Sequence, residues 1–358
     1  MPKRLAIVAT VTCFITDAGP ATMNRSAPTY RAPDALPDFD DRTLEMPPIE
    51  RAETIPASWY VDPRFHAFDR EAVFSQTWQY VGPASDLTAS GSYVQVEVAE
   101  NPVVVVRDNE GTVRGFYNVC RHRGGPLVMD DCGHANVLQC KYHGWTYRLD
   151  GSLRGIPKFD RVELFDREDY GLVPVHAAVW QGLLFVSLAD EPDPLGDVLA
   201  GIPERIAPMR LDALRFVRRD TYEVACNWKV YVDNYLEGYH VPLVHPELAR
   251  LLSYRDYVTE TYDRYSLQHS PLRDDADDNP YADDGGEAFY YFVFPNVMLN
   301  ILPGRLQMNA VVPLAPDRTR VVFDYFYGAV DTLEVQRRAE RDVAFSDRVQ
   351  AEDIEICE

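Results

Sequence analysis

"CRHRGG" at Cys120 to Gly125 and "CKYHGW" at Cys140 to Trp145 each bring a cysteine and a histidine within three residues of one another. One residue separates Cys120 from His122, two separate Cys140 from His143, and seventeen lie between His122 and Cys140. Thiolate and imidazole together suit zinc or an iron–sulfur centre, so residue type alone does not choose. Structural zinc sites open more often with two cysteines a short step apart. One Cys and one His on each arm is what a two-iron cluster needs when one iron takes both thiolates and the other both imidazoles. Gly124, Gly125 and Gly144 permit tight turns in which backbone N–H groups face the sulfurs. The rival is a zinc set of Cys120, His122, Cys132 and His134, which leaves the Cys140–Trp145 loop without a purpose.

The flanks of the two loops read as short strands. "SYVQVEVA", "NPVVVVRD", "VRGFYNV", "VLQCKY", "WTYRLDGSL" and "AAVWQGLLFVSLA" follow at close intervals, separated by turn signals such as Asp108–Gly111 and Asp150–Gly151. They predict a small all-β domain over 78–190, preceded by a helix over 58–77. "DEPDPLGD" is the linker to a second domain over 191–358, where helical stretches at 228–241 and 333–357 mix with strands; this is α+β with an antiparallel sheet. Residues 1–57 read as a loose arm, and "PLRDDADDNPYADDGG" as a charged loop or a lid over a pocket.

Composition narrows the partners. Lys and Arg total 35 against 56 Asp and Glu, a net charge of −21, which repels nucleic acid and anionic membranes and leaves a small molecule or a soluble protein. Six cysteines spread over 358 residues are unlike the framework of a small secreted domain and read as thiols, some bound to metal. The apolar run Leu5–Thr16 is too short to span a bilayer. It reads as a weak secretory signal or as upstream of a true start at Met23 or Met46; the cytoplasmic character of the rest favours the latter.

"CRHRGGPLV" and "CKYHGWTYRLDGSL" resemble the Rieske [2Fe–2S] loops of the aromatic-ring-hydroxylating oxygenases. That resemblance implies that Cys120 and Cys140 bind one iron and His122 and His143 the other. The respiratory Rieske carriers resemble it less, since their loops carry an extra pair of disulfide-forming cysteines.

A second constellation lies in "NWKVYVDNYLEGYHVPLVHPEL", where Glu237, His240 and His245 are spaced Glu-x-x-His-x-x-x-x-His. Two histidines five apart on a straight helix point about 140° away from each other. A helix broken at Pro242 brings His245 back toward His240. Two histidines and a carboxylate on one face of Fe(II) leave positions open for O2 beside a substrate. The run, with "NWK" ahead of it, resembles the mononuclear-iron motif of the same family. The closing stretch "VQAEDIEICE" nominates Asp353 as third ligand, with Asp347 and Glu352 as neighbours of the right chemistry, and family members usually continue past this point. By the same resemblance Glu237 bridges a cluster histidine of one subunit to an iron histidine of the next in a head-to-tail trimer, and Asn234 stands near the iron. The fold it implies is a Rieske domain plus a helix-grip, START-like catalytic domain.

"YFVFPNVMLNILPGRLQMNAVVPLAPDRTRVVFDYFY" is similar to the choline monooxygenase, glycine-betaine and carnitine oxygenase branch. Tyr290, Tyr291, Phe292, Phe294, Tyr325 and Tyr327 then include a cation–π cage for a quaternary ammonium; the alternatives are plain core packing or an aromatic-ring substrate. The expected activity is that of the terminal oxygenase (alpha) subunit: electrons from NAD(P)H, through a separate reductase with or without a ferredoxin, pass from the Rieske cluster to mononuclear Fe(II), where O2 hydroxylates or oxidatively demethylates a small organic substrate. No nicotinamide or flavin fingerprint is present, so the reductase is another protein. The reading from a different class is an electron-transfer or metal-binding protein with only the first site filled.

Overall fold

The computed structural model describes residues 47–159, 161–273, 286–328 and 333–358. The expected arm lies outside these residues as far as 46, as does most of the charged loop, 274–285. Ser58–Val61 (α1) and Pro63–Phe68 (α2) open the helices, and Asp62 caps α2 by accepting the Arg64 N–H at 2.9 Å. Pro63 sits in the first turn of α2, where a missing N–H costs nothing. A π-helical turn, Asp69–Phe74, continues the helix, and strand β1 (Gln79–Pro83) follows.

The chain forms two compact units. The first, residues 86–96 and 102–174, is all-β. Its strands β2 (Ser92–Val98), β3 (Asn101–Arg107), β4 (Val113–Tyr117) and β5 (Cys132–His134) lie in the order β4-β3-β2-β5. The short strands β6 (Leu138–Gln139), β7 (Thr146–Tyr147) and β8 (Leu153–Gly155) make a second sheet. The β3–β4 turn is set by Asp108, whose carboxylate accepts the Glu110 and Thr112 N–H groups at 2.9 Å and pairs with Arg114. Val104, Phe116, Leu138, Trp145 and Tyr147 form the core, into which Cys120 and Cys140 are also buried.

The second unit holds the remaining described residues. β1, β9 (Pro174–Trp180) and β10 (Leu183–Ser187) make an antiparallel ribbon. Tyr80, Leu183 and Phe185 of this ribbon pack with Leu195, Ile202 and Phe289.

Helices α3 (Leu195–Val198) and α4 (Ile202–Ile206) lead to a seven-stranded antiparallel sheet. Its strands are β11 (Arg215–Val224), β12 (Val258–Thr261), β13 (Tyr265–Pro271), β14 (Glu287–Val293), β15 (Val297–Leu302), β16 (Arg305–Ala315) and β17 (Arg318–Tyr327), in the order β11-β17-β16-β15-β14-β13-β12. Between β11 and β12 run α5 (Trp228–Tyr235), α6 (Val241–Val244) and α7 (Pro246–Leu251), and α8 (Leu333–Cys357) closes the chain. This is the expected α+β arrangement. Strand β16 alternates apolar and polar residues, yet both of its faces are buried at Arg305–Val311. Leu306, Met308 and Ala310 enter the core with Tyr291, Leu299 and Ile301, while Arg305, Gln307 and Asn309 line a cavity on the opposite face.

Cys120, Cys140, Cys226 and Cys357 are free thiols. Cys132 is disulfide-bonded, so the reading of all six cysteines as thiols fails there. Among the described residues no helix is long and apolar enough to cross a membrane.

Candidate metal centres

The two cysteine loops fold as near copies. Cys120 N–H donates to Gly125 O at 2.9 Å and Gly124 N–H to Cys120 O at 3.0 Å; Cys140 N–H donates to Trp145 O at 2.9 Å and Gly144 N–H to Cys140 O at 3.0 Å. Each turn needs a left-handed residue, supplied by Gly124 at φ 72° and Gly144 at φ 73°. The loops lie close enough that a Cβ added at Gly125 would stand 3.0 Å from Cys140 Sγ. The histidines sit outward on the same loops, His122 and His143 being exposed with ring centroids 4.7 Å apart, and the His122 ring stacks on Trp145 at 5.0 Å.

The chemistry of this donor set fits a two-iron cluster. Burial raises the Cys120 thiol pKa, against the pull of the Tyr147 hydroxyl at 3.3 Å and the His122 N–H, and the neighbouring Cys140 thiol adds to the rise. Desolvation, with the charges of His143 and Arg123, lowers the pKa of His122 and favours the neutral ring a metal requires. The rival zinc set is not assembled: His134 Nε2 bonds Ser90 O at 2.8 Å on the β5 side, and Cys132 is in a disulfide.

In the second unit His240, His245 and Asp353 converge, one potential ligand atom from each lying within 4.8 Å of the others. The local route differs from the expected proline break. α5 starts at Asn227, whose side chain accepts the Lys229 N–H at 3.0 Å and donates to Pro316 O at 2.8 Å, and it ends before Glu237. Pro242 starts the one-turn helix α6 instead of breaking a longer one; His240 is its N-cap and His245 its C-cap. The two rings therefore flank one turn, 5.1 Å apart and near perpendicular.

Carboxylates hold these rings from behind. Glu237 Oε1 lies 2.7 Å from His240 Nδ1. Glu352 Oε2 lies 2.7 Å from His245 Nδ1, and Asp353 Oδ1 lies 3.0 Å from the Nε2 of the same ring. The three C-terminal acids named from sequence thus separate: Asp353 faces the open side of His245, Glu352 its back, and Asp347 instead accepts the Tyr222 hydroxyl at 2.6 Å. Asn234 Nδ2 donates to Asp353 Oδ1 at 2.7 Å and fixes that carboxylate. Burial lowers the pKa of His245, but the Asp353 and Glu352 carboxylates outweigh it and the net shift is upward.

A cavity of about 880 Å³, counting its open mouth, lies beside the trio. Of the six aromatics expected as a cage, only Tyr290 lines it. Tyr291 and Phe292 are core residues, and Phe294 is 49% exposed. Tyr325 and Tyr327 are also core, spending their hydroxyls on Ser346 and Asp342. The lining aromatic rings are Tyr231, Tyr235, Tyr257, Tyr290, Phe323 and Phe345. The sequence signal for the polar wall was the triplet Arg305, Gln307, Asn309 at alternate positions of an otherwise apolar strand.

Comparison with known proteins agrees with this geometry. Residues 77–166 match the Rieske [2Fe–2S] domain, and residues 211–358 match the catalytic domain of the ring-hydroxylating alpha subunit. The chain is 34% identical over 323 residues to the chloroplastic choline monooxygenase of Arabidopsis thaliana, covering 87% of this chain and 76% of that protein. It is 30% identical over 293 residues to the carnitine monooxygenase oxygenase subunit of Acinetobacter baumannii, covering 80% and 79%. A solved quaternary ammonium Rieske monooxygenase, described for carnitine oxidation and inter-subunit electron transfer, superposes with a TM-score of 0.75 at 27% identity, over 85% of this chain and 83% of that one. The chain belongs to the Rieske-type oxygenases, as an alpha subunit carrying a Rieske [2Fe–2S] domain and a mononuclear-iron catalytic domain.

Proposed function

We propose that this oxygenase oxidises a C–H bond of a small quaternary ammonium compound, drawing electrons from NAD(P)H through a separate reductase, with or without a ferredoxin. The observation that carries the substrate class is the cavity beside His240, His245 and Asp353, whose walls include the rings of Tyr235, Tyr257 and Tyr290. Aromatic faces attract a cation that cannot donate hydrogen bonds. Asp342, a carboxylate on the same wall, is already paired with Arg305 at 2.6 Å.

Cys120, Cys140, His122 and His143 hold the cluster, and His240, His245 and Asp353 hold the iron. When bound, these groups store the incoming electrons and activate O2. The chain supplies the geometry around them. The Tyr147 hydroxyl at Cys120 Sγ stabilises charge on that sulfur. Glu237 and Glu352 fix which ring nitrogen of His240 and His245 faces the metal, and Asn234 keeps Asp353 in its rotamer. In the net reaction one oxygen atom enters the substrate C–H bond, while the other leaves as water with the delivered electron pair and protons. The inter-subunit electron transfer described for the carnitine-oxidising relative supports reading this chain as one subunit of an oligomer, a homotrimer in our reading, in which Glu237 also serves the electron path from a neighbouring subunit; the net charge of −21 speaks against nucleic-acid or anionic-membrane partners, and we place the protein in the cytoplasm.

The test is reductase-dependent O2 uptake by the purified protein against choline, glycine betaine, L-carnitine and naphthalene. Product-coupled uptake with a quaternary ammonium alone supports the reading, and coupled turnover of naphthalene alone overturns it. Iron and labile sulfide should come to about three and two per chain, the sum of a two-iron cluster and one mononuclear site. His240→Ala should keep the cluster spectrum and lose turnover, whereas a pure electron carrier would be unaffected.

A further inference from the structure

α8 lays a stripe of Asp342, Ser346 and Asp353 along the cavity and ends one turn later at Cys357, which is not part of the lining. Cys357 meets Cys226, which lies between β11 and Asn227, the N-cap of α5. Both are free thiols in the apolar cluster that holds Val224, Trp228 and Tyr231. They are 9% and 6% exposed, against 2% for Cys120 and 3% for Cys140, so this pair is less sealed than the cluster sulfurs. The backbone is pinned around it: Ala225 N–H donates to Glu358 Oε1 at 2.9 Å, and the Thr319 hydroxyl donates to Cys226 O at 2.8 Å. The Cys357 thiol donates to the Cys226 sulfur, which also takes the Tyr231 N–H. A buried cysteine serves a core as a small apolar group, but packing alone does not require two sulfurs to face each other.

We infer that Cys226 and Cys357 are a reversible oxidation site, joined by hydrogen peroxide into a disulfide that ties the last turn of α8 to the start of α5. An oxygenase that takes up electrons with no substrate in place reduces O2 to hydrogen peroxide, so the oxidant arises on the enzyme itself. The Cys226 thiolate attacks one peroxide oxygen, giving a sulfenic acid and hydroxide; the Cys357 sulfur then displaces the sulfenic oxygen, which leaves as water with the thiol proton. In all, two thiols give up two electrons and two protons, and one peroxide becomes two waters. The pair has the asymmetry this sequence needs. The hydrogen bond from Cys357, helped by the Tyr231 N–H, overrides burial and holds the Cys226 pKa below the ordinary thiol value, while the same bond, with burial, raises that of Cys357. Asp353 stands four residues before Cys357, about 6 Å along the axis, and α5 carries the Asn234 that holds it. The disulfide therefore braces the carboxylate end of the mononuclear site. Its formation is independent of the substrate; its effect on iron rests on reading Asp353 as a ligand.

The test exposes the resting holoenzyme to a small excess of hydrogen peroxide, quenches with catalase, blocks free thiols and digests without reductant. Mass spectrometry should find the peptides of Cys226 and Cys357 joined, and dithiothreitol should part them. Release of the mononuclear iron to a chelator should slow severalfold after peroxide and return to the untreated rate after dithiothreitol. Cys226→Ala and Cys357→Ala should give no link and a release rate indifferent to peroxide; full iron content before treatment certifies each variant as folded. No joined peptide at a dose that leaves the cluster spectrum intact, or slowed release that persists in both variants, overturns the inference. A joined peptide with unchanged iron release overturns the brace. Asp353→Ala tests the ligand reading separately, since retention of iron in that variant would sink the reading and leave the disulfide standing.

Discussion

Replacing Glu352 with alanine should weaken Fe(II) binding about tenfold without touching the Rieske cluster. Glu352 Oε2 lies 2.7 Å from His245 Nδ1, and that ring is buried while the carboxylate is 37% exposed. A hydrogen bond to a charged partner is worth roughly 1.5–3 kcal/mol, and solvent at a group this exposed removes about half of it. The remaining ~0.8–1.5 kcal/mol is a factor of roughly four to twelve, whose upper end meets the lower end of what removing a partner behind a metal-bound histidine costs. Glu352→Gln keeps a neutral acceptor at Nδ1 and should lose only about threefold. The assay is anaerobic titration of iron-stripped protein with Fe(II) against a chromophoric chelator, the visible spectrum of the cluster serving as internal control. Asp347→Ala is the matched control, because that acid holds Tyr222. Unchanged affinity in Glu352→Ala, or an equal loss in Asp347→Ala, would refute the assignment of the C-terminal acids.

Lys229 and Asp69 form a buried pair that also takes the Trp228 indole N–H, so Lys229→Met should cost about 3–5 kcal/mol in urea unfolding, and adding Asp69→Leu should recover much of it; a single-variant loss below about 1 kcal/mol would show the pair to be dispensable. Tyr147→Phe removes the hydroxyl at Cys120 Sγ and should lower the cluster's reduction potential in a redox titration, since hydrogen bonds to sulfur favour the more negative reduced state. Gly125→Ala puts a methyl 3.0 Å from Cys140 Sγ and should reduce the sulfide recovered per chain. The raised pKa of His245 has a definite sign: without metal its contribution to stability is present below the ordinary 6.5 and lost as pH rises through the raised value. Because metal needs the neutral ring, Fe(II) affinity should begin to fall above pH 6.5 on acidification, and a decline confined below that value would contradict the geometry.

The α+β architecture was readable from sequence, and the residues proposed as donors stood out there because metal chemistry restricts residue type and spacing together. Cys-x-His and Cys-x-x-His with glycines at the turns leave few other purposes. The departures arose where tertiary packing decides. Pro242 is compatible with ending one helix or starting another, and only the loop at 236–240 shows which. Alternating aromatics on β14 and β17 could not be sorted into wall and core, because a strand with both faces buried carries no solvent side to mark the difference. Tyr235 and Tyr257 escaped notice because neither stands in a patterned run.

The stripe on α8 separates two kinds of change that a lineage of such enzymes must keep apart. Its last turn belongs to the metal, whereas Ser346 and Asp342 stand about 10 and 16 Å before Asp353 along the axis and reach the cavity and the neighbouring strands β16 and β17. Substitutions at the earlier turns lengthen, shorten or recharge the chamber while the reactive end stays in register. One helix therefore works as a graduated dial, on which new substrates are reached by editing side chains a fixed number of turns from a centre that never moves.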